Sequence, residues 1–161
     1  MKTAVVILNW NTREYLEKFL PGLIAGTDAS IVVADNASTD GSLQFVRERF
    51  PELDLRYVRG NCDVGMRDEP EKLSLHLEGV EIFATHGHLY NVRYNLASLA
   101  YAAMEQGAQI AMYGHTHQAE HSEMGGVKLL NPGTAGKGRE RTFAVVDIFE
   151  NGGIACEIRE I

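Results

Sequence analysis

The first 58 residues alternate short apolar runs with helical stripes, and this alternation constrains the fold more than any other feature of the chain. The strand candidates span residues 3–8, 31–34 and 53–58, and the first of them is a continuous apolar run rich in β-branched side chains, as is typical of a buried strand. Between them, apolar side chains recur at helical spacing. A strand–helix–strand–helix–strand order predicts a parallel sheet with right-handed crossovers.

Two local signals bear on where the first helix begins and ends. Asn11 is placed to cap the helix, with Glu14 three residues later completing a capping box. Pro21 lies inside the apolar stripe, so we expect the helix to kink or end there, because proline lacks the amide hydrogen that the helix needs.

The remainder of the chain predicts strands that are not all parallel. Residues 73–78 alternate apolar and polar side chains, and residues 80–84 follow as a returning strand. A helical face spans residues 92–103, and two glycine-rich turns farther on mark two more hairpins. We therefore expect a single domain over residues 1–161, with an α/β fold in which a second, mixed sheet packs on the first.

Composition and charge exclude several classes of protein. The chain is 45% hydrophobic and 23% charged, which is typical of a soluble globular protein, and the opening apolar run of residues 4–8 is too short to span a membrane. A formal net charge of −7 argues against a broad nucleic-acid surface, because such a surface needs a basic face. Cys62 and Cys156 do not make a disulfide framework, so we expect a reducing, cytoplasmic setting.

Side chains of the kinds that bind metals follow the ends of the predicted strands. These candidates are Asp35, Asn61, Asp63, His86, His88, His115 and His117. Because open α/β sheets bind ligands at the carboxyl ends of their strands, we expect the candidates to meet. Imidazole nitrogens with carboxylate and amide oxygens suit manganese, iron, zinc or nickel, not calcium. Each residue alone has a structural alternative, such as a helix start for Asp35 or a surface loop for the histidines.

Four motifs in the last two-thirds of the chain occur together in one known family. They are Val58-Arg59-Gly60-Asn61-Cys62-Asp63, Ala84-Thr85-His86-Gly87-His88, Tyr113-Gly114-His115-Thr116-His117 and Asn131-Pro132-Gly133-Thr134. With them, residues 57–161 resemble a calcineurin-like metallophosphoesterase of the small bacterial and archaeal phosphodiesterase type. The resemblance implies a two-sheet αββα sandwich with a two-metal site that hydrolyses phosphate esters. It also implies that Asn61, His86 and His115 bind one metal and His117 the other, and we take His88 and Asn61 as catalytic candidates.

Residues 1–56 depart from that pattern. The family would place Asp-x-His after the first strand and Gly-Asp after the second, where this chain has Asn9-Trp10-Asn11 and Ala34-Asp35. Through residues 5–11 and 33–42, this part instead resembles the start of a family-two glycosyltransferase. Such enzymes bind the nucleotide of a sugar donor here, which implies Asn11 and Asp35 as nucleotide-binding residues. We interpret the chain as a chimera whose first βαβαβ unit is glycosyltransferase-like, joined near residues 56–59.

The join predicts an asymmetric metal site. If the strands of the two families are overlaid, Asp35 takes the place of the metal-bridging aspartate and completes one ligand set. The other metal keeps Asp35 and His117 but meets Asn9 and Asn11, as weak replacement ligands, in place of an aspartate and a histidine. Two divalent ions about 4 Å apart repel by roughly 17 kcal/mol at an effective dielectric of about 20, so anionic ligands must offset that repulsion. With one carboxylate fewer, we predict one well-formed site and one weak site, with manganese as the first candidate metal.

Three functions stay open from the sequence. The leading hypothesis is a metal-dependent phosphoesterase that hydrolyses small phosphate esters at a reduced rate. The second is a nucleotide- or sugar-nucleotide-binding module that uses Asn11 and Asp35. The third is an engineered or recombined chimeric fold without activity.

Overall fold

The computed structural model describes residues 2–9, 11–28, 30–35, 38–61, 70–134 and 140–160. The candidate Asp63 and its neighbour Cys62 lie outside the described residues, as does Trp10. Strands and helices follow one another along the described chain with these bounds: β1 Lys2–Asn9, α1 Arg13–Gly26, β2 Ser30–Asp35, α2 Ser42–Arg49, β3 Asp54–Tyr57, β4 Lys72–Leu77, β5 Val80–Thr85, α3 Ala97–Glu105, β6 Ile110–Met112, β7 Ala119–Met124, β8 Val127–Pro132, β9 Thr142–Ile148 and β10 Ile154–Glu160.

The first sheet contains the predicted βαβαβ unit. Its strand order is β10-β9-β1-β2-β3, with β1, β2 and β3 parallel and β9 antiparallel to β1. The register pairs Asn9 with Asp35 and Asp35 with Tyr57, so the three parallel strands end at one edge. The expectation that these strand ends share an edge is therefore confirmed for the backbone.

The second sheet is mixed, as predicted. Its order is β4-β5-β6-β8-β7, in which β5, β6 and β8 run parallel and each outer strand forms an antiparallel hairpin with its neighbour. Strands β5 and β6 end just before the two histidine motifs. This arrangement delivers both motifs to one edge of the second sheet.

Three clusters of buried side chains define four layers. The central cluster joins the second sheet to β9 of the first, with Ile82, Ile110 and Val146 at most 2% exposed. A second cluster packs α3 on the outer face of the second sheet. A third packs α1 and α2 against the first sheet around Val33. The layers are helix, sheet, sheet and helix, as the αββα prediction requires. Of the helices that the structure describes, none combines the length and apolar character needed to cross a bilayer.

Helix α1 differs from its prediction both at the cap residue and at Pro21. Thr12, not Asn11, is the N-cap residue, and its carbonyl accepts the amide hydrogens of Tyr15 and Leu16 at 2.9 and 3.1 Å. The helix also continues through Pro21 to Gly26. Pro21 is exposed, while apolar side chains before and after it pack on the first sheet, so tertiary packing outweighs the lost hydrogen bond.

Helix α3 begins later than its apolar pattern predicted. Residues 88–90 form a 3₁₀ turn, and Asn91 then takes a left-handed conformation with φ of 53°. The helix itself starts at Ala97, whose amide hydrogen is accepted by the Asn95 side chain at 3.1 Å. Val92 therefore lies before the helix and packs against Gly87.

Candidate functional site

Asn61, His86 and His115 come together from the loops that follow β3, β5 and β6. The Nε2 atom of His86 lies 2.9 Å from Oδ1 of Asn61 and 3.0 Å from Nδ1 of His115. The ring of His88 is also near, with its centroid 5.2 Å from that of His86 and 6.3 Å from that of His115. Four of the predicted site residues therefore form one cluster.

Two glycines allow these loops to approach so closely. A Cβ atom on Gly60 would lie 3.0 Å from Nδ1 of His86, so the loop after β3 can pass against the imidazole only without a side chain there. Gly87 has φ of 105°, and a Cβ atom on it would lie 2.9 Å from the Val92 side chain. The two histidine motifs are also joined directly, because Gly114 donates its amide hydrogen to the His86 carbonyl at 3.1 Å.

The loop after β6 has an unusual backbone. His115 and His117 both have positive φ, at 70° and 58°. Asn131 at the end of β8 supports this loop: it is fully buried, and its amide donates to the carbonyl of Gly114 at 3.2 Å and the hydroxyl of Thr116 at 2.9 Å. The sequence placed Asn131 in one of the four family motifs but assigned it no role. The signal for its role was a polar residue directly after the apolar run of β8.

Burial and neighbouring charges lower the pKa of His86 and of His115, which favours their neutral forms. Burial, followed by the charge that His115 would bear, lowers the pKa of His86 to about 3. Burial and the nearby guanidinium of Arg93 lower the pKa of His115 as well. Neutral imidazoles keep a nitrogen lone pair at neutral pH, which is the form that binds a metal ion.

The donor set of the cluster fits a transition-metal ion. Asn61 Oδ1, His86 Nε2 and His115 Nδ1 all converge, yet a single hydrogen on His86 Nε2 can be donated fully to only one of the other two atoms. A cation would satisfy all three lone pairs at once. One of the three ligand atoms belongs to an amide, Asn61. Within the described ranges, no group of three His, Cys, Asp or Glu side chains is arranged to hold a metal ion.

The remaining ligand candidates stay predictions. Asp35 ends β2 in register with Asn9, which places its backbone at the carboxyl edge of the first sheet. His117 is exposed, and it lies near enough that a positive charge on it would lower the pKa of both His86 and His115. Asp63 lies outside the described residues.

Asn9 and Asn11 make hydrogen bonds that the sequence did not predict. Asn9 is buried; its amide donates to the Ser38 hydroxyl at 2.8 Å, and its oxygen accepts the hydroxyl hydrogen of Thr12. The Asn11 oxygen accepts the amide hydrogen of Thr39 at 2.7 Å. These bonds tie the loop after β1 to the loop after β2. For Asn9 or Asn11 to bind a metal ion, its side-chain oxygen would have to weaken or share the hydrogen bond that it accepts here. This competition is consistent with the prediction that both are weak ligands.

Comparison with known proteins identifies the family. A sequence model described as the calcineurin-like phosphoesterase superfamily domain matches residues 14–151. The chain belongs to this family. The match begins well before residue 57, so the family likeness includes most of the segment interpreted as glycosyltransferase-like and gives no support to a chimera.

Individual proteins are similar to this chain in sequence or in fold. The chain is 28% identical over 124 residues to YsnB of Bacillus subtilis, named a probable metallophosphoesterase, covering 65% of this chain and 73% of that one. A Streptococcus pneumoniae structure described as a predicted phosphoesterase aligns with TM-score 0.71 and 25% identity, over 99% of this chain and 98% of that one. The fold is also that of Vps29 from Entamoeba histolytica in complex with zinc, with TM-score 0.69, 20% identity and 98% of each chain covered.

Proposed function

We propose that this member of the family is a metal-dependent phosphoesterase with one well-formed metal position and one weak position. The observation that supports it most is the position of His86 Nε2, which lies 2.9 Å from Asn61 Oδ1 and 3.0 Å from His115 Nδ1. In the well-formed position, Asp35 would join these three ligands. In the weak position, Asp35 and His117 would be left with Asn9 and Asn11.

The chain's own residues have separable roles in this proposal. A bound divalent ion supplies hydroxide at neutral pH and stabilises the phosphoryl oxygens. His88, whose ring centroid lies 5.2 Å from that of His86, would give a proton to the leaving oxygen. The oxygen of the Asn61 side chain faces the histidines, and its NH₂ group would orient the phosphoryl group of the substrate.

The electrostatics of the site favour a small anionic substrate. Arg93 is exposed, and its positive charge acts on both His86 and His115. A guanidinium beside neutral imidazoles attracts a phosphate group. The net charge of −7 disfavours an extended nucleic acid, so we propose a small phosphate ester as substrate. The half-buried, free thiol of Cys156 is consistent with a reducing, cytoplasmic setting.

The donor set narrows the metal to a group of ions. Two imidazoles with an amide and a carboxylate oxygen suit first-row transition ions. We propose manganese, with nickel, zinc and iron as alternatives that the same ligands accept.

Hydrolysis of bis-p-nitrophenyl phosphate tests this function. We expect manganese to stimulate hydrolysis by the purified protein, and His115→Ala to abolish the stimulated rate. His121→Ala is the matched control, because His121 is exposed on β7 and is not among the site residues, so it should leave the rate unchanged. Equal rates for the wild type and His115→Ala would overturn the proposal.

Other outcomes would favour the alternatives. In one such outcome, the protein binds uridine diphosphate without hydrolysing it, and Asn11→Ala abolishes that binding. This result would support a nucleotide-binding module in which residues 1–56 form a glycosyltransferase-like segment. Neither hydrolysis nor nucleotide binding, in a protein that unfolds cooperatively, would support a chimeric fold without activity.

A further inference from the structure

Asn131 makes three hydrogen bonds and is fully buried at the end of β8. Its amide nitrogen donates to the Gly114 carbonyl at 3.2 Å and to the Thr116 hydroxyl at 2.9 Å. Its oxygen accepts the amide hydrogen of Gly133 at 3.0 Å. Both amide hydrogens are therefore committed to the residues on either side of His115, and the oxygen is fixed by its own turn.

The loop that Asn131 contacts contains two histidines in left-handed conformations. His115 and His117 have φ of 70° and 58°, which side chains with a Cβ atom rarely adopt. Such conformations persist only where the surrounding structure determines them. Two more bonds act here: Thr116 donates its amide hydrogen to Gly114 at 2.8 Å, and Gly114 donates its own to the His86 carbonyl.

These bonds leave Thr116 as the midpoint of the loop. Its hydroxyl accepts from Asn131 at 2.9 Å and from the amide of Gln118 at 3.3 Å, one residue beyond His117. The Thr116 side chain therefore connects the buried end of β8 to Gln118, just after His117, while Asn131 itself bonds to Gly114, just before His115. Neither Asn131 nor Thr116 is among the residues to which we assign metal binding.

We propose that Asn131 and Thr116 are positioning residues, which hold His115 and His117 in the geometry that a metal ion requires. This inference rests on the proposed metal-dependent function. Partners that orient metal ligands without touching the ion change metal affinity by about 10–100-fold when removed. We expect loss of the hydrogen bond between Asn131 and Thr116 to change metal affinity by a similar factor.

Substitutions at Thr116 separate positioning from simple packing. Thr116→Val keeps the shape of the side chain and removes the hydroxyl that accepts from Asn131. Thr116→Ser keeps the hydroxyl and removes only a methyl group. Asn131→Asp keeps the shape of the amide but loses both donated hydrogens toward Gly114 and Thr116.

Manganese titration by calorimetry on the whole chain, with thermal unfolding of the metal-free protein beside it, tests the inference. We expect Thr116→Val and Asn131→Asp to weaken manganese binding by about tenfold or more, and Thr116→Ser to stay within about twofold of the wild type. The rate of Thr116→Val at saturating manganese should recover, because its loss is in affinity.

Each contrary result has a separate meaning. If folded Thr116→Val binds manganese as tightly as the wild type, the positioning role is wrong while the metal site stands. If Thr116→Ser fails as badly as Thr116→Val, packing explains the effect and the inference is overturned. If the wild type binds no manganese, the proposed metal-dependent function is wrong, and the positioning role falls with it.

Discussion

At the scale of single residues, His86 has the environment most clearly suited to metal binding. Its Nε2 atom faces Asn61 and His115, and Gly60 leaves just enough room beside the opposite side of the ring. Burial makes a proton on this imidazole unfavourable, while a neutral ring can still bind a cation. The same environment that prepares His86 for a metal should therefore cost stability in acid.

Acidification should destabilise the metal-free protein through His86. Its pKa is about 3 in the folded chain and near the ordinary 6.5 when unfolded, so the unfolded chain binds one proton more between those values. Stability contributed by neutral His86 is complete above pH 6.5 and falls by about 1.4 kcal/mol per pH unit below it. Urea unfolding at pH 6.5, 5.5 and 4.5 measures this slope. His86→Gln should have the shallower slope, and parallel slopes for the two proteins would contradict the assignment.

Gly60→Ala should damage the site more than the fold. The added Cβ atom would lie 3.0 Å from the His86 ring, and displacement of that ring should reduce manganese-stimulated hydrolysis about tenfold or more. The free energy of unfolding should fall by only about 1–2 kcal/mol. Gly22→Ala is the matched control, because nothing lies within 4 Å of a Cβ atom there and α1 should gain up to about 1 kcal/mol. Full activity in Gly60→Ala would contradict the tight approach.

At the scale of elements, α1 shows how packing outweighs a local signal. Pro21 predicted a break, yet the helix continues because Leu16 and Leu20 before it and Leu23 after it pack on the first sheet. The Asn11 prediction failed for a similar reason. Its side-chain oxygen accepts from Thr39, 28 residues away, and a partner so distant in sequence leaves no mark in the local pattern.

Pro21→Ala should therefore stabilise the protein. The substitution restores one helical hydrogen bond and relieves crowding by the proline ring at an exposed position. Removing proline also makes the unfolded chain more flexible, which lowers the free energy of unfolding by a smaller amount. We expect a gain of about 2 kcal/mol in the free energy of unfolding, measured by urea denaturation. Pro51→Ala, exposed and outside any helix, is the control and should lose about 0.5 kcal/mol. An unchanged or lower value for Pro21→Ala would show that the proline is not strained in α1.

At the scale of the whole molecule, the two-sheet architecture follows from local periodicity. Apolar runs of strand length, helical stripes and glycine turns predicted both sheets, since each pattern reports on its own element. The meeting of Asn61, His86 and His115 was predictable too, because all three follow strand ends. Asn131 was missed because its partners lie on the preceding loop, 15 and 17 residues upstream.

The extent of the family likeness was also only partly visible in the sequence. The motifs begin near residue 58, whereas the family match begins at residue 14 and so includes most of the first βαβαβ unit. What distinguishes this first unit is its chemistry. It offers amides at Asn9 and Asn11 where the motif pattern calls for a carboxylate and an imidazole.

The number of tightly held metal ions per chain tests the central claim most directly. After manganese loading and exhaustive dialysis, elemental analysis should find one ion per chain, because the proposed site has a full ligand set at only one position. His115→Ala should lose that ion, whereas His117→Ala should retain it. Two tightly held ions per wild-type chain, or equal losses in the two variants, would contradict an asymmetric site.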